Sequence, residues 1–493
     1  MGSAMGQEIE LKLSIRPDSV EVFKAHPLLD SVSGQSHYLE NQYFDTPDQQ
    51  LTAAGAALRL RRDEGRCVQT LKTRGSNIGG LHQRDEWEFE RPDGRIDLSE
   101  LPASALPDGL TVDRLQPLFG THFNRHRWLL DYQGASIEVV LDEGRILTQD
   151  TEQPISEVEL ELKTGQLSAL LDLSLQLTER VPMVPSDMSK AERGYRLLDG
   201  NASVEVPLPA IVAQQSMESA FCALMGYELE RLQRQWEVFW MSQQWRHMQA
   251  MLVTLGNLQT ELEWFADILP DAHLEKVSAW VLWLDETIRP LVSWWPACFA
   301  LSQEARSEPE NIAVSLQQAK AIRALDGIEA LAHNPRFGNT LMSLTRWLHL
   351  RAWRHDQTDD HRRASDEAVS DGLDRSLSSA WQAFKPDQFA GSTSHALSQF
   401  PAVHRLLMLC QYFNTLYGAE LNHYREELQA LEDNLSKLSA MDVVSRLREW
   451  LDELPLEQQA SVYSWTRSQT VLLRDIKQLA GRLFESRDTA LEV

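Results

Sequence analysis

Cysteine is scarce: the 493-residue chain has four, Cys67, Cys222, Cys298 and Cys410, far apart in sequence. They form no CxxC pair and no Cys/His cluster, which argues against a zinc site and leaves reduced thiols in a cytoplasmic protein as the expectation. Also lacking is any uninterrupted apolar run of membrane-spanning length, and the N-terminus has no hydrophobic signal core. The opening MGSA reads as a cloning remnant, with the native start expected at Met5. Basic charge is in short supply as well. The formal net charge is −25, and acidic residues outnumber basic ones on either side of residue 200. That excludes a generic nucleic-acid or anionic-membrane binder, which would carry a basic footprint. A polyanionic ligand would have to meet a local cationic pocket instead.

What is present is enough chain for two or more domains, written in two grammars. From Gln7 to about Gly200, short alternating runs read as strands: QEIELKL (Gln7 to Leu13), ALRLRR (Ala57 to Arg62), CVQTLK (Cys67 to Lys72), DEWEFE (Asp85 to Glu90), HRWLLDY (His126 to Tyr132), SIEVVLDEG (Ser136 to Gly144) and ISEVELELK (Ile155 to Lys163). Turn residues separate them, so a sheet that closes or folds back on itself is expected. Two helical patches, Ser19 to Leu29 and Leu167 to Val181, interrupt the strands. A proline-containing linker follows, Ala202 to Gln214, and then long helices begin with Tyr227 to Leu269, broken at Pro270. Of fifteen tryptophans only Trp87 and Trp128 precede residue 200; the rest suit the core of a helix bundle.

The strands share an unusual feature. Glu8, Glu10 and Lys12 alternate with Ile9, Leu11 and Leu13, and Glu157, Glu159 and Glu161 alternate with Val158, Leu160 and Leu162. Arg59 and Arg61 share a face, as do Glu86 with Glu88 and Arg125 with Arg127; Lys72 and Asp142 each end a run. One such strand is ordinary, because charged faces are usually solvated. Charges on one face of nearly every strand, with acids and bases on separate strands, point to the lumen of a barrel. Buried ions carry penalties of several kcal/mol each unless paired or ligated. A divalent cation on the carboxylates and a polyphosphate on the Arg and Lys groups would satisfy both sets.

The motifs ExExK (Glu8, Glu10, Lys12), NQYFDTP (Asn41 to Pro47), LRLRR (Leu58 to Arg62), TLK (Thr70 to Lys72), GGLHQRDEWE (Gly79 to Glu88), the LDEG turn and SKAERGY (Ser189 to Tyr195) together resemble the CYTH domain of triphosphate tunnel metalloenzymes. The resemblance spans residues 7–200. It implies an α+β fold class, with an eight-stranded antiparallel β tunnel that hydrolyses triphosphates with Mg²⁺ or Mn²⁺. On the same resemblance Glu8, Glu10, Glu157, Glu159 and Asp142 form the metal side, with Glu161 nearby. Arg59, Arg61, Lys72, Arg84, Arg125, Arg127 and Lys190 grip phosphate. Lys12, Glu10 and Glu161 are the catalytic candidates. A Lys12 base would need a depressed pKa, whereas neighbouring carboxylates should raise it.

Residues 218–493 resemble a CHAD domain, a helical module whose basic versions bind polyphosphate. Here His247 to Phe265 has no Arg or Lys, and His404 to Gly418 keeps only His404 and Arg405. Arg346, Arg351, Arg354, Arg362 and Arg363 cluster, but acids interleave with them, as on a solvated helix face. A structural role or docking of an unidentified protein is therefore preferred to polyphosphate binding. The expected organisation is a tunnel domain at 5–200, a linker at 201–217 and an all-helical domain at 218–493. The expected activity is hydrolysis of inorganic triphosphate, because the two-domain arrangement resembles bacterial inorganic triphosphatases; the alternative is a polyphosphate-binding or scaffold protein with a sensing, non-catalytic tunnel. A nucleotide cyclase is a weaker third reading. Tyr38, Tyr43, Phe44 and Trp87 are the aromatic groups that a base- or thiazole-binding pocket would draw on.

Overall fold

Eight strands in the first 200 residues close on themselves. In the computed structural model, which describes residues 4–30, 32–200, 204–296, 312–416, 420–446 and 469–485, ten strands form one sheet. They are β1 (Ala4–Ile15), β2 (Gln35–Asp45), β3 (Ala56–Asp63), β4 (Arg66–Thr73), β5 (Ser76–Ile78), β6 (Leu81–Glu90), β7 (Gln116–Tyr132), β8 (Ala135–Leu147), β9 (Glu152–Thr164) and β10 (Met183–Pro185). The order β1-β9-β8-β7-β2-β3-β4-β6 is antiparallel throughout, and β6 returns to pair with β1. β5 extends β6 and β10 extends β1 as short additions. Closure removes the exposed edges that an open sheet would present.

The period-2 alternation now has a physical meaning. On the outer face Leu11 and Leu13 of β1, Ile137, Val139 and Leu141 of β8, and Val158 and Leu160 of β9 pack with Phe23 and with Leu170, Leu171 and Leu177 of the helix Leu167–Arg180. On the inner face Glu10, Lys12, Asp142 and Glu157 are equally buried. Lys12 is 2% exposed, so the charged side of β1 faces the lumen and not solvent.

Toward one end the inward row turns apolar. Leu39, Tyr43, Phe119, Phe123, Ile146 and Ile155 pack together with Tyr195 of the helix Lys190–Asp199. Gly194 of that helix lies against Phe119: a Cβ there would sit 2.1 Å from the ring. The ring cannot easily withdraw, because it stacks on Tyr43 at 4.7 Å between centroids.

Several elements differ from expectation. The motifs SKAERGY and NQYFDTP lie largely on the helix Lys190–Asp199 and on strand β2. The patch Ser19 to Leu29 divides into Val20–Lys24 and Pro27–Asp30, because Pro27 cannot continue the helix before it. The long helix expected over Tyr227 to Leu269 is two, Met217–Ser242 and Trp245–Trp264, separated at Gln243, whose φ is +54°. No glycine or proline marks that break. Cys67, Cys222 and Cys410 are free thiols, while Cys298, Tyr417 and Gly418 lie outside the described residues. No helix among the described residues is long and apolar enough to cross a membrane.

The chain forms two compact units. The first is Met1–Val206 with Leu229–His247 and Glu329–Ala352; the second is Pro207–Glu228, Met248–Ile328 and Trp353–Val493. Within the first, the helix Pro335–His349 lies along the β5–β6 turn, where Thr345 donates to Gly79 O at 3.3 Å and His349 to Ile78 O at 3.1 Å. Gly79 and Gly80 both have positive φ, as a two-residue hairpin turn requires. The second unit has its own core, in which Phe221 packs against Phe265 and Trp353. It also holds a polar chain: Asn257 donates to Glu228 at 3.0 Å and its carbonyl meets His404 at 2.7 Å.

Between β10 and the helix Lys190–Asp199 runs a four-residue connection, Ser186 to Ser189. Ser186 N donates to Lys12 O at 2.9 Å, His82 Nε2 to Ser186 O at 3.1 Å, and Gly80 N to Asp187 Oδ1 at 2.8 Å. Asp187 is 1% exposed and its Oδ2 has no hydrogen-bond partner. Burial, reinforced by the charge of Glu237, pushes its pKa well above 3.8.

Two stability experiments follow from these contacts. Gly194→Ala should destabilise the protein in a denaturant titration, although alanine is worth about 1 kcal/mol more than glycine in a helix interior, because the methyl group must displace Phe119. Asp187 takes up a proton on folding, so its contribution to stability falls as pH rises from 3.8 through its raised value. Asp187→Asn keeps the acceptor for Gly80 and removes the buried charge. At about pH 8 it should be more stable than the parent by ~1–3 kcal/mol, with the gap closing toward the ordinary aspartate range.

Candidate functional site

Three carboxylates converge in the lumen. Asp142 of β8 and Glu157 and Glu159 of β9 each offer an oxygen, and these oxygens lie within 4.8 Å of one another. The register explains the meeting: Asp142 is opposite Glu157 across the β8–β9 ladder, and Glu159 is one inward position further along. Lys190 reaches in from the first turn of its helix. Its Nζ is 2.7 Å from Asp142 and 3.1 Å from Glu159, and it bonds Glu157 as well. Lys12 Nζ lies 3.0 Å from Glu159 and 3.6 Å from Glu157. Arg125 binds Asp142 through two nitrogens, at 2.7 and 2.6 Å, and Glu159 at 2.8 Å.

The other expected site residues fall into groups along the same inner face. Glu8 accepts from Lys72 at 2.7 Å and Arg84 at 3.1 Å, and Arg84 also bonds Glu10. Glu86 lies 3.2 Å from Lys72 and 4.0 Å from Arg59. Glu8 and Glu10 are thus held by cations, apart from the convergent trio. Arg127 pairs with Glu138, and Glu161 with Lys163 at 2.6 Å; this group is more open, with the Arg127 side chain 44% exposed.

Arg59 and Arg61 are different. Among the described residues no carboxylate lies within 4 Å of Arg61, whose Nε donates to Asn41 Oδ1 at 3.0 Å. Burial, with Arg59 and Arg125 nearby, brings its pKa down to about 10. Arg59 Nε is buried without a partner. These guanidinium groups carry donor capacity that the protein's own acids leave unused.

Asp142 and Glu159 stay ionised. Burial opposes the charge on Asp142, but Arg125 and Lys190 outweigh it and lower the pKa. Glu159 is lowered further, with burial overcome by Lys190 and Lys12. Glu10 is likewise held far down by Arg84 against burial. The ammonium groups respond in the opposite direction: burial disfavours their charge, yet Glu159 leads in raising Lys12 and Asp142 in raising Lys190. Lys12 therefore keeps its proton. Glu161 shifts upward, mainly through burial. His82 is driven down to about 3 by burial and by Lys12 and is a neutral ring.

Oxygen-only donors at this spacing suit a hard divalent cation such as Mg²⁺ or Mn²⁺, and the ammonium groups now among them occupy the place of that positive charge. The unused guanidinium donors suit an anion with several oxygens. The expected stacking groups are committed elsewhere: Tyr43 stacks on Phe119, and Phe44 and Trp87 pack in an apolar cluster. Tyr38 is 51% exposed and meets His122 edge-on.

Sequence reading missed Glu138, Lys163 and Arg193, the last of which lies 3.4 Å from Glu157. Glu138 could have been found by counting back from Asp142 on the same face. Arg193 could have been found one turn beyond Lys190.

Residues 6–195 match the CYTH domain family and residues 223–452 the CHAD domain family. The inorganic triphosphatase of Haemophilus influenzae is 38% identical over 203 residues, covering 40% of this chain and 56% of that protein. The match thus spans little more than half the length of this curated relative. Among solved structures, a putative adenylyl cyclase from Hippeastrum, described as having a dominant triphosphatase activity, is 23% identical over 41% of this chain and 98% of its own, with a TM-score of 0.29. The CHAD domain from the plant Ricinus communis is 19% identical over 58% of this chain and 97% of its own, with a TM-score of 0.41. The chain carries a CYTH domain followed by a CHAD domain, and over its CYTH region it resembles inorganic triphosphatase.

Proposed function

We propose that this chain hydrolyses inorganic triphosphate to diphosphate and phosphate in the lumen, with Mg²⁺ or Mn²⁺, in the cytoplasm. The observation that carries the reading is a convergent carboxylate trio beside Arg61, which among the described residues has no carboxylate within 4 Å, and Arg59, whose Nε is buried without a partner. The name of the Haemophilus relative supports the substrate class. Commitment of Tyr43, Phe44 and Trp87 to packing supports bare triphosphate over a nucleotide or thiamine ester.

Asp142, Glu157 and Glu159 would hold the cation, with Glu8 and Glu10 beside it. A divalent cation supplies charge neutralisation at phosphate oxygens and a more acidic bound water. Arg61 would take phosphate oxygens first, because it surrenders no ion pair to do so, and Arg59 gives up only a 4.0 Å contact with Glu86. Lys72, Arg84 and Arg125 can add forked or point contacts by exchanging a carboxylate for a phosphate oxygen; Arg127, at the more open group, meets the chain's far end. Lys190 would be free to meet the phosphate where a divalent cation were held by the carboxylates. Lys12, fully charged, orients an anionic oxygen and does not accept a proton. Of Glu10 and Glu161, the second has the higher pKa and is the better proton acceptor.

A second reading, a tunnel that binds its ligand without turnover, draws on Lys190 already bonding all three acids. Phosphate release separates the two. Inorganic triphosphate with Mg²⁺ or Mn²⁺ should be cleaved well ahead of ATP, thiamine triphosphate and long polyphosphate, and Glu159→Gln should lower turnover by about 10²-fold or more. Tight triphosphate binding with no release would establish the sensor. Lys190→Met removes the resident ammonium and should tighten Mn²⁺ binding about tenfold in a calorimetric titration without substrate, a change of ~1.4 kcal/mol. Unchanged affinity would remove the trio as the cation site.

A further inference from the structure

Lys190, like Arg193, reaches the lumen acids from outside the barrel wall, so its place depends on what holds its helix and the connection before it. The inner side of that connection is fixed by β1, β6 and the Gly79–Gly80 turn, as described. The outer side is fixed by the part of a helix, after the linker, that falls within the CHAD-matched residues. Glu237 of the helix Met217–Ser242 takes the Ser186 hydroxyl hydrogen on Oε1, and the same oxygen accepts from Met188 N at 3.2 Å. One turn earlier, Arg234 Nη1 donates to Glu192 Oε1 at 2.7 Å and its Nε to Glu230 at 2.8 Å. Residues three apart lie on one helix face. That face therefore grips the chain on both sides of Lys190, at Ser186 and Met188 before it and at Glu192 after it.

We propose that Glu237, with Arg234, is a positioning residue that sets Lys190 among Asp142, Glu157 and Glu159 from outside the barrel. Three features carry this. The contacts are specific and charge-assisted, and they fall on backbone and side chains immediately flanking Lys190. Glu237 Oε2 is buried without a partner, a cost that simple packing of the helix would not require. Finally, Ser189 caps the helix by accepting from Glu192 N at 3.1 Å, so a shift at Met188 or Glu192 moves the turn that bears Lys190. The helix beyond the linker is thus part of the tunnel's working geometry.

The test reads Lys190 directly. Labelling of lysine amines with acetic anhydride, followed by mass spectrometry on the full chain, should show Lys190 protected in the parent, because its ammonium is buried and bonded to three acids. In Glu237→Ala its labelling rate should rise about tenfold relative to Lys72, as expected for losing hydrogen bonds to a charged group. Glu237→Gln retains an oxygen acceptor for Met188 N–H and should restore most of the protection. If Glu237→Ala does not fold, Arg234→Gln receives the same measurement. Unchanged Lys190 labelling in a folded variant overturns the proposal.

A kinetic arm rests on the triphosphatase reading. Glu237→Ala should raise KM for triphosphate about tenfold, and this effect should vanish in a Lys190→Ala background. Additive effects would make Glu237 a general stabiliser and overturn the positioning role. Absence of triphosphate cleavage in the parent would overturn the functional reading alone, and the labelling result would still decide Glu237.

Discussion

Charge neutrality in a closed, largely buried lumen governs this structure. Once eight strands close, every second residue has only the opposite wall for company, and an unpaired ion there is disfavoured by several kcal/mol. The chain meets that constraint by placing most acids on β1, β8 and β9 and most bases on β3, β4 and β7, with Lys12 on β1, Arg84 and Glu86 on β6, and Lys190 added from a helix. The resulting pairs are not a stability device for their own sake, since apolar side chains of similar volume would fill the space at lower cost. On the proposed function they make the lumen exchangeable. A polyanion can replace carboxylates at the cations, and a divalent cation can replace ammonium groups at the carboxylates, without stranding either partner. Arg61 donates to Asn41 and not to an acid, and Arg59 meets Glu86 only at 4.0 Å.

The same alternation serves the fold. Leu11 and Leu13 face the helix Leu167–Arg180 while Glu10 and Lys12 face inward, so a one-residue register slip in β1 would bury leucine among ions and carboxylates among leucines. Chemistry and packing therefore enforce one register jointly. The apolar end of the lumen adds a second constraint. Phe119, Phe123 and Tyr43 accept the helix Lys190–Asp199 only where Gly194 lets it approach, and that seating brings Lys190 to the acids.

Much of this was legible in sequence because period 2 is a strong signal. Glu8, Glu10, Lys12, Arg59, Arg61, Glu157 and Glu159 could be assigned to one face by counting, and their number turned a solvated sheet into a lumen. What escaped has identifiable causes. β2 mixes Leu39, Asn41 and Tyr43 on its inner face, so polarity does not alternate cleanly. The helix Lys190–Asp199 is short and buries its residues against the lumen's own apolar end. The break at Gln243 uses a left-handed residue that is neither glycine nor asparagine, and no local rule marks it. Lys12 was legible in place and charge, but against burial its pKa is raised first by Glu159 and Glu157 of the adjacent strand and only then by Glu10 of its own motif.

The least legible feature is where one compact unit stops. Family resemblance divides the chain near the linker, whereas packing assigns Leu229–His247 and Glu329–Ala352 to the unit that contains the barrel. Met342 is fully buried in the barrel's outer core and Leu350 packs against it; Arg16 lies 4.9 Å from the Trp240 ring. Each of these contacts joins residues more than a hundred positions apart, so no window of sequence displays them. Their physical consequence runs inward. The helix Pro335–His349 steadies the Gly79–Gly80 turn, that turn holds Asp187, and Asp187 belongs to the connection that carries Lys190. A chain of hydrogen bonds and close contacts thus links residues beyond the linker to the carboxylates of the lumen, and the arrangement of the site is a property of that whole unit, not of its strands alone.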